Sequence, residues 1–119
     1  MSHNKFGIIH VGWRGLCSQI CEKMSEIFAD ETTEIFCGPY LPRYEIKKDF
    51  CFKALAKKFG EKFFIYQDDK IIFDFRTTLV SLLPTIRFDG RSTYEDKNLA
   101  SWRRDRTTLR NLTIVGNFD

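Results

Sequence analysis

Residues 6–16, FGIIHVGWRGL, constrain the fold of this chain more than any other stretch. An apolar run through Phe6, Ile8 and Ile9 leads to His10, and Gly12 and Gly15 bracket Trp13 and Arg14. The pattern predicts a buried strand over residues 6–11, a tight turn after His10, and a helix starting near Gly15. Such a junction sets an imidazole, an indole and a guanidinium at the carboxyl end of a strand and the amino end of a helix. Free backbone N–H groups and the helix dipole attract anions there.

The rest of the chain builds outward from this turn. Leu16, Ile20, Met24, Ile27 and Phe28 recur at helical spacing, and the polar run at 30–33 predicts a stop near Ala29 or Asp30. Cys17 and Cys21 lie beside that stripe, one turn apart, and read as small core residues. Residues 34–37, EIFC, predict a short strand, closed by Gly38 and Pro39; two prolines in the loop 38–43 exclude regular structure there. Residues 44–59 predict an amphipathic helix with Ile46, Phe50, Leu55 and Phe59 on its apolar side and Gly60 just past its end. The segment FFIYQ from Phe63 and the return at 70–73 predict a hairpin around Asp68 and Asp69. Asp74 predicts a helix cap, Phe75, Leu79, Leu82 and Leu83 the apolar side of that helix, and Pro84 its stop. A strand at 85–88, a polar loop to Lys97, and closing strands at 99–102 and 109–115 complete the series, with a basic turn at 103–108. The order β-α-β-α-β-β-α-β-β-β predicts an α/β (α+β) fold, a mixed sheet with packed helices, over one domain at 1–119.

Composition narrows the function classes. At 119 residues, with 43% hydrophobic and 12 Phe, the chain can bury a single core and is not of the disordered class. No segment approaches the ~20 apolar residues of a bilayer span, and the polar start MSHNK carries no secretion signal. The four cysteines, at 17, 21, 37 and 51, form no CxxC pair and are expected as reduced thiols in a cytoplasmic setting. A net charge of +3 reads as a solvated surface, so neither a nucleic acid nor a membrane is expected as partner.

Four motifs, in order, then carry a resemblance. HVGWRGL at 10–16 resembles the HAGWRGL signature of the YfiH-like, or laccase-domain, proteins. Gly38-Pro39 with Tyr44-Glu45-Ile46 resembles that family's GPxIGPxxYEV segment, with a loop two residues shorter. Phe73-Asp74-Phe75 before a Leu-rich helix resembles its DL-helix segment. Ser101-Trp102-Arg103-Arg104-Asp105, then Thr107, Thr108 and Arg110, resembles the closing SYRRD-x-TTGR element, with Leu109 in the place of a glycine. The family has carried the names multicopper polyphenol oxidoreductase and, for purine nucleosides, phosphorylase and adenosine deaminase. The resemblance implies a YfiH-like fold and a metal site similar to a His, Cys, His set, with zinc, or the copper of the family name, as the metal.

It covers only the later half of the family domain. His10 corresponds to the last ligand, while the QVHG-type and TADC-type segments that hold the other two lie upstream of the signature. Nine residues precede His10 here, and His3 stands too close to replace the missing Cys. A further family Cys, in an RCT segment, corresponds to Ser92. The resemblance therefore implies that a separately encoded upstream half, or a partner chain, completes the metal set, and that this chain alone is inactive. His10 reads equally as a strand-end histidine satisfied by a backbone carbonyl.

Arg14 on the turn suits bidentate contact with phosphate or a carboxylate, or a structural ion pair. Trp13 reads as a packing residue rather than a base-stacking one. Arg103 and Arg104 match the family motif and are candidate substrate contacts with Arg14, whereas Arg106 reads as part of a charged turn with Asp105. Cys17 is a weak candidate nucleophile because a helix flank does not aim its thiol at His10. The resemblance implies purine nucleoside and phosphate as substrates. The alternative is a non-catalytic remnant acting as a small interaction domain, in which lost upstream strands leave an exposed edge and apolar surface that invite self-association or a partner.

Overall fold

The structure, a computed structural model, describes residues 6–28 and 33–89. Its centre is the hairpin predicted around Asp68 and Asp69. Both residues take positive φ, 50° and 60°, the left-handed pair that lets a two-residue turn match the twist of its strands. The arms are β3 (Phe64–Gln67) and β4 (Lys70–Asp74), in the register Phe64 to Phe73 and Gln67 to Lys70. On the other side of β4 lies β2 (Arg43–Ile46), antiparallel, with Tyr44 opposite Phe73 and Ile46 opposite Ile71. The sheet order is β2-β4-β3.

Helices cover this sheet. The Asp74 carboxylate accepts a 3.0 Å bond from the Thr77 N–H and caps α4 (Phe75–Leu82), which stops before Pro84. The buried Thr78 hydroxyl is satisfied by donating to the Asp74 carbonyl at 2.8 Å. Asp49 caps α3 (Phe50–Phe59), accepting from the Cys51 N–H at 3.0 Å, and Gly60 follows with φ 71°. Two shorter helices, α1 (Trp13–Cys17) and α2 (Ile20–Ile27), precede them in the chain. A parallel pair, β1 (Phe36–Cys37) with β5 (Arg87–Phe88), forms a second sheet, extended by bonds from the Arg87 N–H to the Ile35 carbonyl and from the Asp89 N–H to the Cys37 carbonyl. The architecture is thus a mixed α/β fold.

One core joins these parts. Leu16, Cys21, Ile46, Leu55, Phe63, Phe64, Phe73, Phe75, Leu79 and Leu83 are buried together. Full burial of a side chain such as Phe73 contributes about 2–3 kcal/mol. An aromatic row runs through this core. Phe52 stacks on Phe64 (centroids 4.8 Å apart), Phe64 meets Phe73 (6.0 Å), Phe73 meets Phe75 (6.1 Å), Phe75 meets Tyr40 (6.0 Å), and Tyr40 stacks on Phe88 (5.2 Å).

Three sequence expectations are corrected. Residues 6–11 form no strand: no ladder partner for them exists among the described residues, and Gly7 instead lodges against Met24 and Phe28, where an added Cβ would lie 2.9 Å from each. The helix expected from Gly15 starts at Trp13 and breaks at Ser18-Gln19, where Gln19 turns left-handed at φ 66°. Residues 44–59 split into β2 and α3, because Tyr44 and Ile46 point inward with a period of two and Asp49 restarts the chain as a cap. The strands expected at 99–102 and 109–115 lie outside the described residues.

Candidate functional site

The turn at 10–16 is built on two glycines. Gly12 is extended (φ −116°, ψ −176°) and precedes α1 without a side-chain cap; its carbonyl accepts the first helical bond, from the Leu16 N–H at 2.9 Å. A Cβ on Gly12 would sit 3.6 Å from His10 Nε2, so the imidazole lies over the turn. Gly15 passes close to Ile20, where a Cβ would approach its Cγ2 to 3.2 Å. Leu16, fully buried, anchors the turn to the core.

The side chains sort by exposure. His10 and Arg14 face solvent, and Trp13 is half-buried against the core. The Arg14 guanidinium sits 5.1 Å from the Trp13 ring centroid, a contact worth about 0.5–1 kcal/mol at such a site. Trp13 therefore packs, as expected, and also steadies Arg14. With five residues, α1 has too short a stack of peptide dipoles to draw an anion unaided, so Arg14 is the turn's own source of positive charge. Arg103 and Arg104 lie outside the described residues.

Lys58, which nothing in the local sequence marked, ties this turn to α3. Its ammonium group donates to the Leu16 carbonyl and to Glu22 Oε2 at 2.7 Å. These partners are 42 and 36 residues away in sequence, a separation that no helical or strand spacing reveals. The cysteines beside the turn are unsuited to attack. Burial pushes the thiols of Cys17 and Cys21 above the usual range, Glu22 adds to the rise at Cys21, and Lys58 only partly offsets it. Both stay protonated near neutral pH.

A second polar cluster sits where the two sheets approach α4. Arg43 pairs with Asp74 at 3.4 Å, and the Arg76 guanidinium lies 4.1 Å over the Phe88 ring. The Tyr40 hydroxyl is buried without a well-formed hydrogen bond among the described residues. Burial pushes its phenol up, and the neighbouring Arg76 guanidinium pulls the other way. An open groove of about 630 Å³ runs between β2 and the hairpin tip, lined by Glu45, Lys48, Tyr66, Asp68 and Lys70 among others. Neither His10 nor Arg14 borders it. Among the described residues no three or more His, Cys, Asp or Glu side chains are placed to hold a metal ion together, and no helix is long and apolar enough to cross a membrane.

Residues 1–117 match the family described as multi-copper polyphenol oxidoreductase laccase. The chain is 34% identical to a purine nucleoside phosphorylase YfiH of Shigella flexneri, over 90% of its own length and 49% of that protein. It is also 34% identical to a purine nucleoside phosphorylase YfiH of Escherichia coli K12, over 89% of its length and 48% of that protein. The chain thus spans about half the length of the curated relatives it matches.

Proposed function

The chain belongs to the multi-copper polyphenol oxidoreductase laccase family, and we propose that it is one part of a purine nucleoside phosphorylase or adenosine deaminase, competent only together with further polypeptide that completes its metal set. The observation that carries this reading is the solvent-facing His10 on the HVGWRGL turn, with Arg14 exposed on the same turn. Arg14 would take phosphate or a substrate oxygen in its fork, held over Trp13. Arg103 and Arg104 would contribute further charge to the same substrate.

The described residues by themselves do not fit a zinc or copper ion, since a tight site needs about three protein donors. His10 fits as one donor of a shared set whose His and Cys come from polypeptide beyond these residues. What the chain supplies is an accessible imidazole, a guanidinium and a packed wall behind them.

The test is turnover. The chain, alone and expressed together with the QVHG- and TADC-type segments, is incubated with adenosine and phosphate, and products are separated by chromatography. Inosine, adenine or ribose phosphate is expected only from the combination, with stoichiometric metal bound. None of the three from the combination ends the enzyme reading. A second reading, an interaction domain, is favoured by Phe6 and Ile8, which are 53% and 59% exposed beside the turn. Large apolar groups left in water in one place mark binding surfaces. A metal-free chain that binds a partner without turnover supports that reading.

A further inference from the structure

We propose that Lys58 is a positioning residue for the turn that carries His10, Trp13 and Arg14, a role that rests on the functional reading above. The short helix α1 cannot hold that turn by itself. Five residues are far below the length at which a helix persists in water, and Gly12 offers no side chain to cap it. The left-handed Gln19 then breaks the helix, so α2 does not stiffen α1 as a continuous rod would. Leu16 fixes the depth of the turn by full burial, and Trp13 and Cys17 pack against the core beside it, but such non-directional apolar contacts leave the helix some freedom to pivot.

Lys58 removes that freedom. Its ammonium group donates to the Leu16 carbonyl in the last turn of α1, which also accepts a long 3.3 Å bond from the Gln19 N–H, and so a cation meets the negative end of α1. The same group bonds Glu22 Oε2 on α2, which joins α1, α2 and α3 at one nitrogen. The Lys58 side chain is only 20% exposed, and its ammonium group lies 5.1 Å from the centroid of the Phe59 ring. Taken out of water and held by two acceptors, it is more directional than a surface ion pair. Glu22 Oε1 is buried without another partner among the described residues, so the carboxylate depends on Lys58 for its pairing.

The test uses the full chain with Trp102→Phe as the reference, which leaves Trp13 as the one indole. Amide exchange is followed at Leu16 and Ser18 on the turn and at Ile65 and Ile72 in the hairpin. Lys58→Met is expected to speed exchange at the turn by roughly 10-fold and in the hairpin by less than about 2-fold. Trp13 emission and the His10 imidazole resonance should shift with it. Lys58→Arg, which keeps the cation and its donors, should restore all three readouts, and Glu22→Gln should give a smaller change at the same amides. Equal acceleration in turn and hairpin, a Lys58→Met chain that does not fold, or a turn left unchanged would each overturn the proposal. None of these readouts needs turnover. Absent nucleoside chemistry would therefore remove the functional reading and leave the tether standing, while uniform exchange would remove the tether alone.

Discussion

Between residues 63 and 83 the constraints are local. Asp68 and Asp69 make the turn, Asp74 caps the helix that follows its own strand, and Thr78 is satisfied by the carbonyl four residues back. Between residues 10 and 28 they are not. There α1 lacks a side-chain cap, the helices are divided at Gln19, and a lysine from another helix holds the joint. The hairpin with α4 is specified by its own residues, whereas the turn with α1 and α2 takes its shape from what it docks against. The region carrying the candidate chemistry is the borrowed one, in keeping with the general rule that functional segments come from the less self-sufficient parts of a fold.

The contrast can be broken most sharply at Phe73, 1% exposed and ringed by Tyr44, Phe64 and Phe75. Phe73→Ala is expected to cost about 3–5 kcal/mol, read as a lower urea midpoint, with turn and hairpin lost together. A hairpin that melts while α1 and α2 persist would reverse the assignment of which region leads.

Cys37, on β1 and outside both regions, tells which of them the small sheet follows. Burial pushes its thiol up to about 11, with Arg76 opposing and Asp89 adding to the rise. At pH 8 its alkylation is expected to run roughly 100-fold slower than that of a free thiol, because the thiolate fraction falls by that factor. Phe73→Ala should speed the labelling and Lys58→Met should not. The folded state prefers the protonated thiol, so stability is expected to fall as pH rises from about 9, where the unfolded thiol ionises, to about 11. A urea midpoint that holds constant across that window would contradict the burial.

Asp74 tests the self-sufficient side. Asp74→Ala removes the cap and leaves the Thr77 N–H unpaired, for a loss of about 1–2 kcal/mol. Asp74→Asn should recover most of it, since the Arg43 partner is largely exposed and its pairing contributes little. If the asparagine fares as badly as the alanine, charge rather than capping holds the strand to the helix.

The smallest effect is a gain. Gln19 carries a side chain at φ 66°, and Gln19→Gly is expected to stabilise by about 0.5–1 kcal/mol. If α1 and α2 open on their own, that gain appears as slower exchange of their amides while the urea midpoint stays put.

The same division explains what could be read from the sequence. The two-aspartate turn, the Asp74 cap, the Pro84 stop and the buried face of α4 were legible because each signal and its effect lie within a few residues. The strand at Arg43–Ile46 was not, since Ile46 and Phe50 also fit a helical spacing over so short a stretch. The break at Gln19 was hidden because Leu16, Ile20 and Met24 keep helical spacing across it. At the candidate site, the identities of His10 and Arg14 came from the motif, but their exposure, the Trp13 support and the Lys58 tether depend on contacts no local pattern encodes.

The row of rings from Phe52 to Phe88 passes from the larger sheet into the smaller one. Neighbours packed this closely do not mutate independently. A homologue that trims one ring must enlarge the next or rotate it, so the tolerated alphabets at positions 40, 52, 64, 73, 75 and 88 should be correlated. Libraries that vary these six sites one at a time will record mostly losses, while paired exchanges will uncover neutral routes between sequences.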